Sequence, residues 1–189
     1  MDVGNFENHL QFIREAQRLK DVLRSGHTAQ GRRESTAEHS WRLCLMVLVF
    51  AQELPGIDLL RLLKICIIHD LGEALGGDIP AVEQDGTPDK NRREREDLLT
   101  LLAPLPPALQ QEFLGLWDEY DAAATPEARA AKALDKLETL IQHNQGANPP
   151  DFDYRFNLTY GQKYTDADPL FVALRALIDA DTRRRVDGG

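Results

Sequence analysis

Leu10, Ile13, Ala16 and Leu19 recur three or four residues apart, the spacing of one helix face, and predict a helix over residues 5–22. Residues 24–35, RSGHTAQGRRES, hold two glycines and no large apolar residue, and read as a loop. Thr36 is then placed as the N-cap of a second helix running to about Glu53, where Pro55-Gly56 stops it. Asp58 caps a third helix, LLRLLKICII, which ends at His69; Gly76-Gly77-Asp78 and Pro80 break the pattern. Thr87-Pro88 is an N-cap followed by proline at the first helical position, and it opens a helix over DKNRREREDLLTLL to Leu102. Pro104, Pro106 and Pro107 mark a turn before an amphipathic helix over 107–123 with Leu109, Phe113, Leu116, Trp117 and Tyr120. Thr125-Pro126 repeats the Thr-Pro start and leads a helix to Gln145; GANPPDFD is a loop. Asp168-Pro169 opens a last helix to about Arg184, with 185–189 left as a frayed tail. Strand-like alternation survives only in Tyr154–Tyr160. The expectation is all-α, one bundle-like domain over 1–189 with its core at about 10–180.

Composition narrows the function classes. At 189 residues the chain can bury a core without staples. A net charge of −9 argues against a general nucleic-acid binder, though local arginines can still build a positive pocket for a small anion. Cys44 and Cys66 each lie in an apolar run, show no CxxC spacing, and are expected to be buried free thiols in a reducing compartment, most simply the cytoplasm. The first twenty residues contain no apolar signal-peptide region, and the longest apolar run, Leu43 to Ala51, is too short for a membrane span.

The chemistry sits where residue types are costly. His69 and Asp70 end the apolar third helix, and a carboxylate in a dry setting is expensive unless paired. Glu38-His39-Ser40 lies in the first turn of the second helix, and Asp135 flanks the apolar stripe of Leu134, Leu137 and Ile141. Each alone reads as an ordinary helix residue. Together, three helices would each send a ligand-type side chain inward, as bundles do when they build metal sites. Two imidazoles with two carboxylates suit Mn²⁺, Co²⁺, Fe²⁺ or Zn²⁺ better than an all-oxygen site for Mg²⁺ would.

The ordered pattern His39, His69-Asp70, Asp135 resembles the HD superfamily of metal-dependent phosphohydrolases. AEHS at 37–40, HDLGE at 69–73, GGDI at 76–79, KNRRERE at 90–96, LWDEY at 116–120 and DKLE at 135–138 extend the likeness to the HD-domain 5′-deoxynucleotidases, over about residues 10–180. The resemblance implies one divalent ion, Mg²⁺ included, held by His39, His69, Asp70 and Asp135. It implies that Glu73 positions or deprotonates the attacking water and that Asp78 is the second catalytic acid. Glu73 follows the His-Asp pair by one helical turn, and Gly76 and Gly77 would let the backbone turn sharply beside the substrate. By resemblance Arg24 contacts phosphate; Lys90 is a weaker candidate. The family often has Trp soon after that arginine; here His27 stands at the equivalent place, which bears on substrate preference. Arg32, Arg33, Arg92 and Arg93 read as solvated surface charges, Trp41 as core packing, and His9 and His143 as structural or surface residues.

The expected function is metal-dependent hydrolysis of (deoxy)nucleoside 5′-monophosphates to nucleoside and phosphate. The expected partner is a small nucleotide, with neither nucleic acid nor membrane, and family members imply a homodimer. The alternatives are another HD phosphohydrolase, a phosphodiesterase or nucleotide pyrophosphohydrolase, and a non-catalytic module whose metal is a structural staple.

Overall fold

A computed structural model describes residues 3–79 and 89–188. Helix α1 (Val3–Ala16) runs into a 3₁₀ turn (Gln17–Lys20) and a small antiparallel hairpin, β1 (Leu23–His27) and β2 (Arg33–Ser35). Then come α2 (Thr36–Val49), α3 (Leu59–Ile68), the one-turn α4 (Glu73–Gly76), α5 (Asp89–Leu102) and α6 (Pro107–Ala122). The long α7 (Pro126–Gln145) is followed by the short α8 (Tyr154–Asn157) and α9 (Gln162–Thr165), and α10 (Pro169–Gly188) closes the chain.

Helix α7 is the axis of the fold because its sequence is apolar and small on several faces. Ala128, Ala130, Ala131, Ala133, Leu134, Leu137 and Leu140 are all buried. Alanines bring neighbouring backbones close, and α2, α3, α6 and α10 all pack on α7. The helix starts cleanly, since the Thr125 hydroxyl accepts from the Ala128 N–H and Pro126 takes the first turn. Leu43, Val47, Leu62, Ile65, Cys66, Leu98 and Leu102 complete the interior. Cys66 is buried and free, as expected; Cys44 is free but only half-buried.

The all-α expectation holds in outline, and several local expectations are corrected. Residues 24–35 are a hairpin rather than a loop, with Leu23 opposite Ser35 and His27 opposite Arg33. Arg33 holds it by donating to the Leu23 and Arg24 carbonyls at 2.7 and 2.8 Å. Gln142 donates to the His27 carbonyl and the His27 N–H donates to Asn148. These partners come from α7 and the loop after it, so no local hydrophobic period marks the strands. Tyr154–Tyr160, the one alternating stretch, begins as α8, because Asp153 accepts from the Arg155 and Phe156 N–H groups.

Ser35, not Thr36, caps α2, in a capping box with Glu38. Helix α2 ends at Val49, and a 3₁₀ turn covers Ala51–Glu53. The third helix ends as expected, with Asp58 as N-cap and His69 as C-cap. Helix α10 continues through Arg184 to Gly188 instead of fraying, since the Arg185 Nε donates to the Asn144 carbonyl at 2.7 Å. Trp41 is not core: it is 66% exposed on the outer face of α2, with Leu45, Leu48 and Val49. The expected Thr87-Pro88 helix start and the Pro80 break lie outside the described residues. Among those residues, no helix is long and apolar enough to cross a membrane.

Candidate metal centre and active site

His39 leaves the first turn of α2, His69 and Asp70 follow α3, and Asp135 lies midway along α7. The packing of α7 against α2 and α3 brings all four together. The His39 Nε2 is 3.2 Å from an Asp135 oxygen and 3.7 Å from Asp70 Oδ2, and the His69 Nε2 is 3.0 Å from the same Asp70 oxygen. Ligand atoms of His39, His69 and Asp70 all lie within 4.8 Å of one another. His39 Nε2, His69 Nε2 and Asp70 Oδ2 are buried, and none has a hydrogen-bond partner. Three buried lone-pair atoms aimed at a common point without partners are costly as protein alone. A divalent cation among them satisfies all three, and two imidazole nitrogens with carboxylate oxygens fit a borderline first-row ion.

The surrounding groups orient this cluster. The His69 Nδ1–H donates to the Cys66 carbonyl at 2.9 Å, a bond made possible because the last α3 carbonyls lack helical partners. The His39 Nδ1–H donates to Glu138, itself fully buried and held by Arg42 at 2.5 Å. Each ring thus keeps its proton on Nδ1 and turns the Nε2 lone pair inward, as metal-binding histidines require. The second Asp135 oxygen accepts from the Tyr120 hydroxyl at 2.6 Å and from Lys136 at 2.8 Å. Burial pushes the Asp70 and Asp135 carboxyls up, but imidazoles and cations outweigh it and hold both below the usual carboxylate range.

Above the cluster opens a cavity of about 1010 Å³. Arg24, His27, His69, Asp70, Glu73, Asp78, Lys90 and Asp135 line it, and His39 sits beneath, fully buried. All nine sequence-predicted site residues therefore meet in one place. Glu73 opens α4 rather than continuing α3, because the helix stops at Ile68 and the chain turns through residues 69–72. Gly72 lets this turn lie against α5: a Cβ there would be 2.4 Å from the Glu94 carbonyl. Gly77 provides the turn that follows, with φ +83°, whereas Gly76 needs no such freedom.

Glu73 accepts from the Thr36 hydroxyl at 3.2 Å. Burial first, then the charges of Asp70 and Asp78, push its carboxyl up to about 10. Burial also raises Asp78, against the pull of Arg24. Arg24 comes from β1 and places its guanidinium 3.5 Å from Asp70 and 3.6 Å from Glu34, and it donates to Thr139 at 3.0 Å. Lys90, also on the cavity wall, pairs with Glu94 at 2.9 Å. The His27 Nδ1 is buried without a partner. Arg32 and Arg92 are solvent-exposed, as expected, each near a glutamate. His143 is structural, bonded to Asn157 and stacked edge-on against Phe152, and it also borders the cavity.

Glu138, Tyr120 and Lys136 are the partners the sequence reading left without roles. Glu138 is one turn beyond Asp135 in DKLE, so the spacing alone could have suggested it. Tyr120 reads as ordinary helix core until α6 is packed on α7.

The helical fold and this His-His-Asp-Asp cluster define an HD-domain protein, and the chain belongs to that family: residues 16–175 match the HD domain. It is 33% identical to the 5′-deoxynucleotidase HDDC2 of Danio rerio over 141 residues, 74% of this chain and 70% of that one. The Dictyostelium discoideum 5′-deoxynucleotidase HDDC2 is 27% identical, over 93% of this chain and 99% of its own. A crystal structure of a predicted metal-dependent phosphohydrolase from Magnetospirillum magnetotacticum superposes with a TM-score of 0.83. It is 31% identical, covering 96% of this chain and 94% of that chain.

Proposed function

We propose that the protein is a metal-dependent phosphomonoesterase that hydrolyses (deoxy)nucleoside 5′-monophosphates to nucleoside and phosphate. The observation that carries this is the set of unpartnered buried atoms, His39 Nε2, His69 Nε2 and Asp70 Oδ2, beneath a cavity walled by Glu73, Asp78 and Arg24. The relatives named 5′-deoxynucleotidases support the substrate class.

His39, His69, Asp70 and Asp135 hold one divalent cation, with Mn²⁺, Co²⁺, Fe²⁺ and Zn²⁺ favoured by the mixed donors over Mg²⁺. When bound, such an ion polarises a phosphoryl oxygen and acidifies water. Arg24 presents a guanidinium already oriented by Asp70, Glu34 and Thr139, and with Lys90 it receives the phosphate. His27 borders the sugar and base. Glu73 is the group placed to take a proton from the attacking water; a cation held beside Asp70 would offset the burial and carboxylate repulsion that otherwise keep its own proton on. Asp78 acts with it on the attack or leaving-group side. The Thr36 hydroxyl fixes the Glu73 oxygen it donates to.

The test is phosphate release from deoxy- and ribonucleoside 5′-monophosphates by metal-stripped protein resupplied with each ion in turn. Metal-dependent release that Glu73→Ala lowers at least a hundredfold fits the reading. Full activity of Glu73→Ala removes its role. Hydrolysis of diesters or triphosphates alone favours the other HD phosphohydrolases, and a metal that stabilises the fold with no hydrolysis favours a structural staple. We further propose a cytoplasmic homodimer that binds neither nucleic acid nor membrane. The free thiols of Cys44 and Cys66 suit a reducing compartment, and the exposed Trp41, Leu45, Leu48 and Val49 on α2 suit a partner face. A monomer mass by light scattering removes the dimer.

A further inference from the structure

The cavity has a second cationic feature that hydrolysis does not use. Lys132 of α7 is only 8% exposed, yet it lines the cavity. Its Nζ lies 4.0 Å from the centre of the Tyr120 ring and 5.4 Å from that of Tyr164. Among the described residues, no carboxylate stands at ion-pair distance and no oxygen accepts a hydrogen bond from it. Lys136, one turn along, is by contrast paired with Asp135 at 2.8 Å. The tyrosine faces hold the Lys132 ammonium in place, but they leave its three N–H donors unspent. With its stem buried and its head at the cavity wall, the ammonium presents those donors to whatever fills the cavity.

The position of Lys132 says which part of the ligand this is. Phosphate is drawn to Arg24, Lys90 and the metal cluster. Lys132 precedes Asp135 by three residues, about 4.5 Å along the helix axis, and its Nζ lies over Tyr120, whose hydroxyl separates it from Asp135. Tyr120 and Tyr164 flank it, and Phe156 and Tyr160 also line the cavity, flat faces suited to a planar heterocycle. The cavity's 1010 Å³ is ample for a nucleotide that reaches from the cluster to this lobe.

We infer that Lys132 is a specificity-determining residue that donates a hydrogen bond to a ring carbonyl oxygen of the nucleobase. It thereby favours oxo-bearing bases such as thymine and guanine over adenine, which has none. This rests on the nucleotide reading of the site above. A site built around such a donor discriminates because the wrong base leaves the donor unpaired.

The test compares wild type, Lys132→Met and Lys132→Arg. Methionine keeps the apolar stem against the tyrosines; arginine keeps donors. Two readouts are taken: kcat/KM for dTMP, dGMP and dAMP, and calorimetric binding of thymidine and deoxyadenosine, which carry no phosphate. The expected result is a loss of about tenfold or more for dTMP, dGMP and thymidine in Lys132→Met, little change for the adenine compounds, and partial recovery in Lys132→Arg. Equal losses for all bases would place the contact on sugar or phosphate, and no loss would leave Lys132 without a ligand; either overturns the inference. Failure of wild type to bind either nucleoside overturns it as well. If thymidine binds through Lys132 while no monophosphate is hydrolysed, the inference stands and the phosphomonoesterase reading fails.

Discussion

Replacing Glu138 by glutamine tests whether the second circle of residues sets metal affinity. Glu138 is fully buried and receives both the His39 Nδ1–H and, at 2.5 Å, the Arg42 Nε–H. Glutamine keeps the volume, so no cavity forms. It removes the charge and turns one acceptor oxygen into an NH₂ donor, which must face either Arg42 or the His39 ring. Facing the ring, it draws the imidazole into the tautomer with its proton on Nε2, the atom that lies 3.2 Å from Asp135 and 3.7 Å from Asp70. That proton blocks the lone pair a cation needs. Facing Arg42, it takes the nearer anion from a half-buried guanidinium and leaves it only Glu34, at 3.9 Å. Loss of such an orienting partner weakens metal binding about 10- to 100-fold, or about 1.4–2.8 kcal/mol. The assay is competition for Co²⁺ or Zn²⁺ against a chromogenic chelator, with far-UV circular dichroism to establish that the variant is folded. Glu119→Gln is the control, because Glu119 is also buried and ion-paired, with Arg61, but stands away from the cluster. Wild-type affinity in folded Glu138→Gln, or an equal loss in Glu119→Gln, refutes the reasoning.

Two further outcomes follow from local geometry. Glu38 closes the α2 capping box and pairs with Arg32, and that hydrogen bond first of all holds its carboxyl down at about 2, below its ordinary 4.5. A depressed folded value means the contribution is present above pH 4.5 and is lost as pH falls through about 2. Both side chains are largely exposed, so Glu38→Gln should cost only about 1 kcal/mol at pH 7, a gap from wild type that narrows below pH 4.5 in urea titrations. A constant gap down to pH 2.5 would assign the effect to packing instead. Gly72→Ala would force a Cβ to 2.4 Å from the Glu94 carbonyl and push α4 from α5. It should lower stability by about 1–3 kcal/mol with an unchanged urea m-value, and an unshifted midpoint would mean that the loop yields freely.

Much of this molecule could be read along the chain. The starts of α3 and α7 are legible because Asp58 and Thr125-Pro126 are local signals whose partners lie within one turn. The order His39, His69-Asp70, Asp135 was enough to anticipate the cluster, since the cost of burying those groups is a property of residue type and apolar context. The hairpin was not legible. The bonds that anchor it to the rest of the molecule go to Gln142 and Asn148, more than a hundred residues away, and its strands carry no apolar alternation. Trp41 misled for the converse reason: an aromatic residue inside an apolar run looks buried, and only the packing of α2 on α3 and α7 shows which face points out.

The sequence by itself thus determined the long helices and which side chains form the His-His-Asp-Asp cluster, because capping, helical period and desolvation act within a few residues. Tertiary structure alone decided the rest. It turned the Nε2 atoms of His39 and His69 inward by giving their Nδ1 protons to Glu138 and the Cys66 carbonyl. It placed Tyr120 on Asp135, and it left Lys132 buried between two tyrosines without an acid. Those outcomes depend on which helix faces meet, and a hydrogen bond across ninety-nine residues, such as His39 to Glu138, leaves no trace in local pattern.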